Sequence, residues 1–310
     1  MQTNLYKSVL IIACFFYFSC SVFGQQEAMN TQYMFNTLVY NPSYAGTKDA
    51  ISTAAIYRQQ WVSSNFEGAP RTISAYVHGP VREKIGLGLS VQSDQLGVHD
   101  WLNIRGNYSY KFYVSPRSKV SLGLSTSFSI QQSDYNSVMG ANGDVTTDIT
   151  FSENRNKVLP NFGFGAFYYS NWYYVGFSIP NILNNKLSAF SAQQYRHYYG
   201  SAGMVLPVTK SIKVKPAVLL KSVGGNAPTE LDLSVNVYFF NTIWTGLAFR
   251  TRDSFDMLLG IQVNRSLKIG YAFDLITTEL NNHTDLHTHE IMIGYDFNFG
   301  PSRIITPRYF

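Results

Sequence analysis

From Ile51 onward, apolar and polar residues alternate along this chain with a period close to two. That is the spacing at which successive side chains leave opposite faces of a strand. Across 118–131, Val120, Leu122, Leu124, Thr126, Phe128 and Ile130 share one face, and Ser121, Gly123, Ser125, Ser127, Ser129 and Gln131 share the other. In 230–239, Leu231, Leu233, Val235, Val237 and Phe239 oppose Asp232, Ser234, Asn236 and Tyr238. Segments 85–92, 102–112, 267–274 and 290–299 repeat the pattern, and none shows a helical period. Cutting at turn signals predicts strands at 51–58, 71–78, 85–93, 101–113, 118–131, 160–169, 172–179, 195–206, 211–222, 229–239, 243–251, 254–264, 267–274 and 288–299. That makes about fourteen, an even number, as bacterial single-chain barrels have.

The connections carry a second pattern. Those after even strands are tight (79–84, 114–117, 170–171, 207–210, 240–242, 265–266). Those after odd strands are longer (59–70, 94–100, 132–159, 180–194, 223–228, 275–287), with 252–253 a short exception. Short periplasmic turns and longer extracellular loops give this alternation in outer-membrane barrels. Aromatics gather at three tight turns: Tyr110, Phe112 and Tyr113; Tyr168, Tyr169, Trp172, Tyr173 and Tyr174; and Tyr238, Phe239, Phe240 and Trp244. Their apolar rings and polar tips suit a lipid–water boundary.

A soluble β-sandwich also alternates with period two, so composition has to decide between them. Charged residues are 14% of the 310 and aromatics 15%, against roughly 25% charged in soluble domains. After the N-terminus no apolar run reaches the roughly 18 residues of a membrane helix. Sandwiches charge their outer face and blunt their edges with Lys, whereas the polar face here is mostly Ser, Gly, Asn and Gln. The expected fold is therefore all-β, a transmembrane antiparallel up-and-down β-barrel.

Residues 1–24 read as a signal peptide, with Lys7 as the positive start, an apolar stretch 8–23, and a cut before Gln25. A lipoprotein-like box ending at Cys14 is discounted because the apolar run continues beyond it. Both cysteines, Cys14 and Cys20, lie in this segment, which excludes a disulfide scaffold and thiol chemistry in the mature chain. The remaining parts are an N-terminal segment 25–50 at the periplasmic mouth or in the lumen, the barrel 51–299, and a tail 300–310. The net charge of +5 has no Lys/Arg cluster behind it, so no nucleic acid is expected.

Candidate chemistry is sparse. His283, Asp285, His287, His289 and Glu290 offer metal-ligand types, with His287 and His289 on one strand face, but read as a polar loop entering a strand. Asn142, Asp144 and Asp148 lack the spacing of a calcium loop. His78 and His99 have no evident partners, and there is no G-x-S-x-G elbow. No catalytic site, cofactor, metal or small-molecule substrate is expected. The lumen-facing Arg105, Lys111, Lys213, Lys215, Asp232, Lys268, Asp274 and Asp296 carry both signs, pointing to salt bridges across a filled or narrow interior rather than an ion-selective pore.

An ordered set of short motifs completes the reading. Asn41-Pro42-Ser43-Tyr44-Ala45-Gly46 resembles the NPAYAG element of the PorP/SprF family, with Ser43 in place of the commoner Ala. Arg58, Gln60 and Trp61 match its R-x-Q-W; Gly68, Pro70 and Thr72 match its G-x-P-x-T; Ile85-Gly86-Leu87-Gly88 and the closing Arg308, Tyr309 and Phe310 also correspond. Pro42 and Gly46 fix and then reverse the chain ahead of the first strand. Arg58 is expected to point into the lumen, and Trp61 to anchor the first loop. At all these positions the alternatives are a structural role in closing and plugging the barrel, and direct partner contact. The resemblance spans essentially the whole mature chain. It implies a non-enzymatic outer-membrane component of type IX secretion, assisting the secretion or surface attachment of cargo such as gliding adhesins or proteins with a type B C-terminal domain. Its expected partners are secretion components facing the N-terminal segment, cargo at the extracellular loops, and outer-membrane lipid. The alternative is a solute-conducting, porin-like channel.

Overall fold

The computed structural model describes residues 29–48, 50–62, 68–133, 155–185, 194–224, 228–278 and 286–297. Residues 1–24, the tail with Arg308, Tyr309 and Phe310, the candidate oxygen ligands Asn142, Asp144 and Asp148, and His283 and Asp285 fall outside them.

Fourteen strands follow one another: β1 Ile51–Val62, β2 Arg71–Arg82, β3 Ile85–Leu96, β4 His99–Ser115, β5 Ser118–Ser133, β6 Arg155–Ser170 and β7 Tyr173–Ile179. Then come β8 His197–Met204, resuming after a break as Leu206–Pro207, β9 Ile212–Val223, β10 Glu230–Phe239, β11 Ile243–Arg250, β12 Ser254–Gln262, β13 Leu267–Ile276 and β14 His287–Phe297. Each pairs antiparallel with its neighbour in sequence. The last strand closes on the first, from Ile51↔Phe297 to Arg58↔Glu290. Closure leaves no unpaired edge, which the hydrocarbon layer of a membrane demands because it offers backbone groups no partner. The break in β8 turns Val205 inward, where it packs with Ile56, Tyr238, Trp244 and Met292.

Alternation sorts side chains between lipid and lumen. Along β11, Ile243, Thr245, Leu247 and Phe249 face out and Trp244, Gly246, Ala248 and Arg250 face in. The outward face of the whole barrel is apolar, whereas buried Ser, Asn, Lys, Arg, Asp and Glu line the inside. Two sequence expectations change. The seven-residue connection 94–100 shrinks to Gly97 and Val98, because Leu96 pairs with His99 and Gly97 takes φ +57°. Polar residues at the mouth of a barrel continue a ladder as readily as they form a loop. The turn-side aromatics also divide: Phe112, Tyr113, Trp172, Tyr173 and Phe240 face out, but Tyr174, Tyr238 and Trp244 are buried inside. Within the strand ladder a period of two sends Tyr173 out and Tyr174 in, whereas at the turns neighbouring aromatics such as Trp172 and Tyr173 can both be exposed.

Six connections form one tight end of the barrel; the other end carries the longer ones, 63–70, 134–154 and 180–196 among them. The core lies in the lumen, around an irregular segment. Residues 29–48 occupy the barrel interior, with Tyr33, Met34, Leu38, Tyr40, Tyr44 and Ala45 all buried.

Candidate functional site

The segment 29–48 has weak local periodicity, and it forms only single helical turns, at Tyr33–Phe35, Thr37–Tyr40 and Pro42–Tyr44. The third follows from its composition. Pro42 supplies the fixed φ of a first helical position, and the Asn41 carboxamide oxygen accepts from the Ser43 N–H at 3.1 Å. Gly46 then takes φ +64°, where a Cβ would lie 2.6 Å from the Gly86 Cα. Short turns of this kind leave many main-chain groups without local partners, and buried ones must find them elsewhere. Here they find them on the barrel wall.

Nearest the loop end, the Glu290 carboxylate accepts the N–H groups of Thr31 and Gln32, each at 2.8 Å. Arg58 ties the same carboxylate to Asp274, with Nη1 at 3.2 Å from Glu290 and 2.7 Å from Asp274. The Thr31 hydroxyl bridges this trio, accepting from Arg58 at 2.6 Å and donating to Asp274 at 2.7 Å. Arg58, Asp274 and Glu290 are essentially inaccessible to solvent. Midway down, Tyr76 donates to the Phe35 carbonyl, Arg105 to the Val39 carbonyl, and Ser178 to the Tyr40 carbonyl.

At the turn end, Ser109 donates to the Ala45 carbonyl at 2.6 Å and Lys111 to the Gly46 carbonyl at 2.8 Å. The Gly46 N–H donates to His78 Nδ1 at 3.0 Å, and Lys48 pairs with Asp296 at 3.5 Å. The segment thus runs the length of the lumen and is fastened at both ends. Rather than hanging below the barrel, its described part spends its polar groups on the wall. A second ion cluster joins Arg250 to Asp232 at 3.1 Å and to Asp253 at 2.9 Å. Asp256, fully buried and directly across from Asp274, has no geometrically well-formed hydrogen bond to either carboxylate oxygen among the described residues.

The family-motif residues fall into two groups. Asn41, Pro42, Tyr44 and Gly46 are inside the lumen, with the Tyr44 ring against His78 and Phe167. Arg58 and Thr72 point inward as well, Thr72 donating to Asp94 at 2.5 Å. Gln60, Trp61, Gly68 and Pro70 gather at the first loop. There the Gln60 N–H donates to the Pro70 carbonyl at 2.9 Å, and Trp61 and Gly68 take φ +53° and +79°. His78 has the partner that sequence reasoning had denied it. The mixed histidine cluster separates: His287 and His289 are on the outward face, while Glu290 faces the lumen. Among the described residues no group of three or more His, Cys, Asp or Glu is placed to hold a metal. Sequence reasoning missed Thr31, Lys48 and the tethering role of Glu290. The parity of β14 alone would have put Glu290 on the lumen face.

A family model described as the type IX secretion system membrane protein PorP/SprF matches residues 22–295. No curated protein sequence matches the chain. Among solved structures, the CymD monoaromatic hydrocarbon channel superposes with a TM-score of 0.53 at 11% identity, covering 90% of this chain and 96% of that one. The toluene transporter TbuX of Ralstonia pickettii gives 0.53 at 10%, covering 89% and 96%. At such identities the likeness is one of fold.

Proposed function

The chain belongs to the PorP/SprF family of type IX secretion system membrane proteins, and from that premise we propose that this outer-membrane barrel is a non-catalytic docking body for secreted cargo. The observation carrying the proposal is the occupied lumen, with residues 29–48 hydrogen-bonded and ion-paired to the wall from Glu290 down to Asp296. A barrel filled in this way works through its two rims. The longer connections, taken as extracellular, form the cargo-facing rim, and the tight turns meet secretion components. The motif residues at the first loop, Gln60, Trp61, Gly68 and Pro70, belong to the cargo rim.

Site-specific photo-crosslinking in secreting cells tests this. A crosslinker at exposed Leu183, beside the loop end, is expected to trap a secreted protein. One at Phe240, on a tight turn, is expected to trap a component of the secretion machinery instead. Cargo adducts from Phe240 and none from loop-end positions would reverse the assignment.

The fold-level likeness to a channel and a transporter keeps a conducting reading in view. Single-channel recording separates the two. A docking body shows no steady open current, whereas a stable conductance retuned by replacing Arg105 would make the barrel a porin.

A further inference from the structure

The loop-end half of the lumen is incompletely filled. Above the plug is a cup of about 170 Å³. Tyr33, Asn36 and Tyr40 of the plug form its floor, and β3 to β6, β8 and β9 supply its wall, with Gln92, Trp101 and Asn103 prominent. The strand residues of the wall belong to the loop-end halves of their strands, and Gln194 and Tyr195 come from the connection ahead of β8. We propose that this cup is a binding site for one neutral sugar ring.

The lining chooses the class of ligand. Its two charged residues are already engaged: Asp94 accepts from Thr72, and Arg105 donates to the Val39 carbonyl and, at 3.0 Å, to Asn181. An ionic ligand would therefore have to displace a partner. Among the other polar groups of the lining are the side-chain amides of Gln92, Asn103 and Asn36 and the Ser129 hydroxyl, which accepts from Asn103. The Gln92 side chain makes no hydrogen bond among the described residues, and Asn103 uses its side-chain N–H on Ser129 and keeps its carbonyl oxygen. Both amide atoms of Asn36 lack partners, and the torsion that turns a carboxamide is broad.

Amides and hydroxyls that both donate and accept match a ring of hydroxyls, each of which does the same. The faces of Trp101 and of the tyrosines suit the apolar C–H side of such a ring. A hydrocarbon in the same space would leave Gln92 and Asn103 dry, at a cost that buried amides do not bear without a partner. An extended peptide binds by adding to a sheet edge, and a closed barrel has none. At roughly 30 Å³ per water the cup holds about six waters, the space of one ring with its hydroxyls.

Saturation-transfer NMR on the purified full-length barrel, in a zwitterionic detergent without a sugar headgroup, tests the site. The probes are glucose, galactose, mannose and N-acetylglucosamine, with glucuronate as the charged control and benzene as the apolar one. At least one neutral sugar is expected to bind. Gln92→Leu is expected to weaken it by about tenfold or more while the folded barrel keeps its mobility on an unheated gel. Trp101→Ala should do the same, and if that variant fails to fold, Asn103→Ala replaces it. Tighter binding of a disaccharide than of its free unit would assign the cup to the end of a longer glycan, and the reverse to a free sugar; either result supports the site. Saturation of no neutral sugar, preference for glucuronate or benzene, or binding unchanged in Gln92→Leu would overturn it.

Discussion

Removing the Glu290 carboxylate should release the plug at its loop end without opening the barrel. In Glu290→Ala, the Thr31 and Gln32 N–H groups, each held at 2.8 Å, lose their acceptor in a site closed to solvent. Leaving one buried donor unsatisfied costs about 1–3 kcal/mol, so two cost about 2–6. Arg58 loses its 3.2 Å partner but keeps Asp274 at 2.7 Å, so its charge is not stranded. The full penalty of breaking a buried pair, about 3–5 kcal/mol, therefore does not come on top. A loss of about 3 kcal/mol at this end is the central expectation. Since each 1.4 kcal/mol is a factor of ten, local opening of residues 29–36 should become about a hundredfold more frequent.

Hydrogen exchange followed by mass spectrometry on the barrel in micelles reads this directly, because amides in a locally opening unit exchange in proportion to its open population. Peptides covering 29–36 should exchange about a hundredfold faster, and those from β4 and β5 should not change. Glu290→Gln keeps the shape and one acceptor oxygen, so its effect should be intermediate. Exchange of 29–36 within about threefold of the wild type in Glu290→Ala would refute the reasoning, since two orphaned amides cost at least about 2 kcal/mol together, more than a tenfold change in opening.

Two further substitutions test other parts of the fold. Gly46→Ala puts a Cβ 2.6 Å from the Gly86 Cα in a residue at φ +64°. The left-handed backbone alone costs about 1–2 kcal/mol, so faster exchange of residues 40–48 is expected, and unchanged exchange would show that the turn relaxes freely. Asp256→Asn removes one of two carboxylates that face each other across β12 and β13. Directly opposed like charges destabilise a sheet by up to about 1 kcal/mol, so the unfolding temperature on a heated gel series should hold or rise. A fall would mean that a counter-charge occupies the site.

The strands were legible because lipid imposes its own period: with one face apolar and the other polar, register and face can be read residue by residue. That parity also put Arg58 in the lumen and gave the closing salt-bridge charges their direction. The plug was not legible in the same way. Thr31 meets Glu290 across 259 residues of sequence, and a segment of single turns leaves no period to read. Glu290 drew notice as part of a histidine-rich run whose metal-ligand types were set aside as a polar loop entering a strand. Alternation then separates it from His287 and His289 and turns it into the lumen, a placement that the polar run around it hid.

The close approach of wall glycines supports, of the two roles open to the motif Asn41 to Gly46, the structural one. A Cβ at Gly123 would come 2.2 Å from the Ser43 nitrogen, one at Gly165 would come 2.2 Å from the Asn41 carboxamide oxygen, and one at Gly86 would come 2.3 Å from the Ala45 carbonyl oxygen. Backbone stands too close at two of these points, and a buried cap at the third, for any side chain to fit. The motif and the strands facing it are thus complementary surfaces of one chain, pressed together inside the barrel. Substitutions in Asn41, Pro42, Tyr44 or Gly46 should therefore act through loss of the plug and be indifferent to the identity of the cargo. On the docking reading proposed above, discrimination among cargo proteins comes from residues that reach the loop-end rim, and among the described motif positions Gln60, Trp61, Gly68 and Pro70 are there. Exchanging the first loop between two family members that serve different cargo should move specificity with it, whereas exchanging Asn41 to Gly46 should move stability alone.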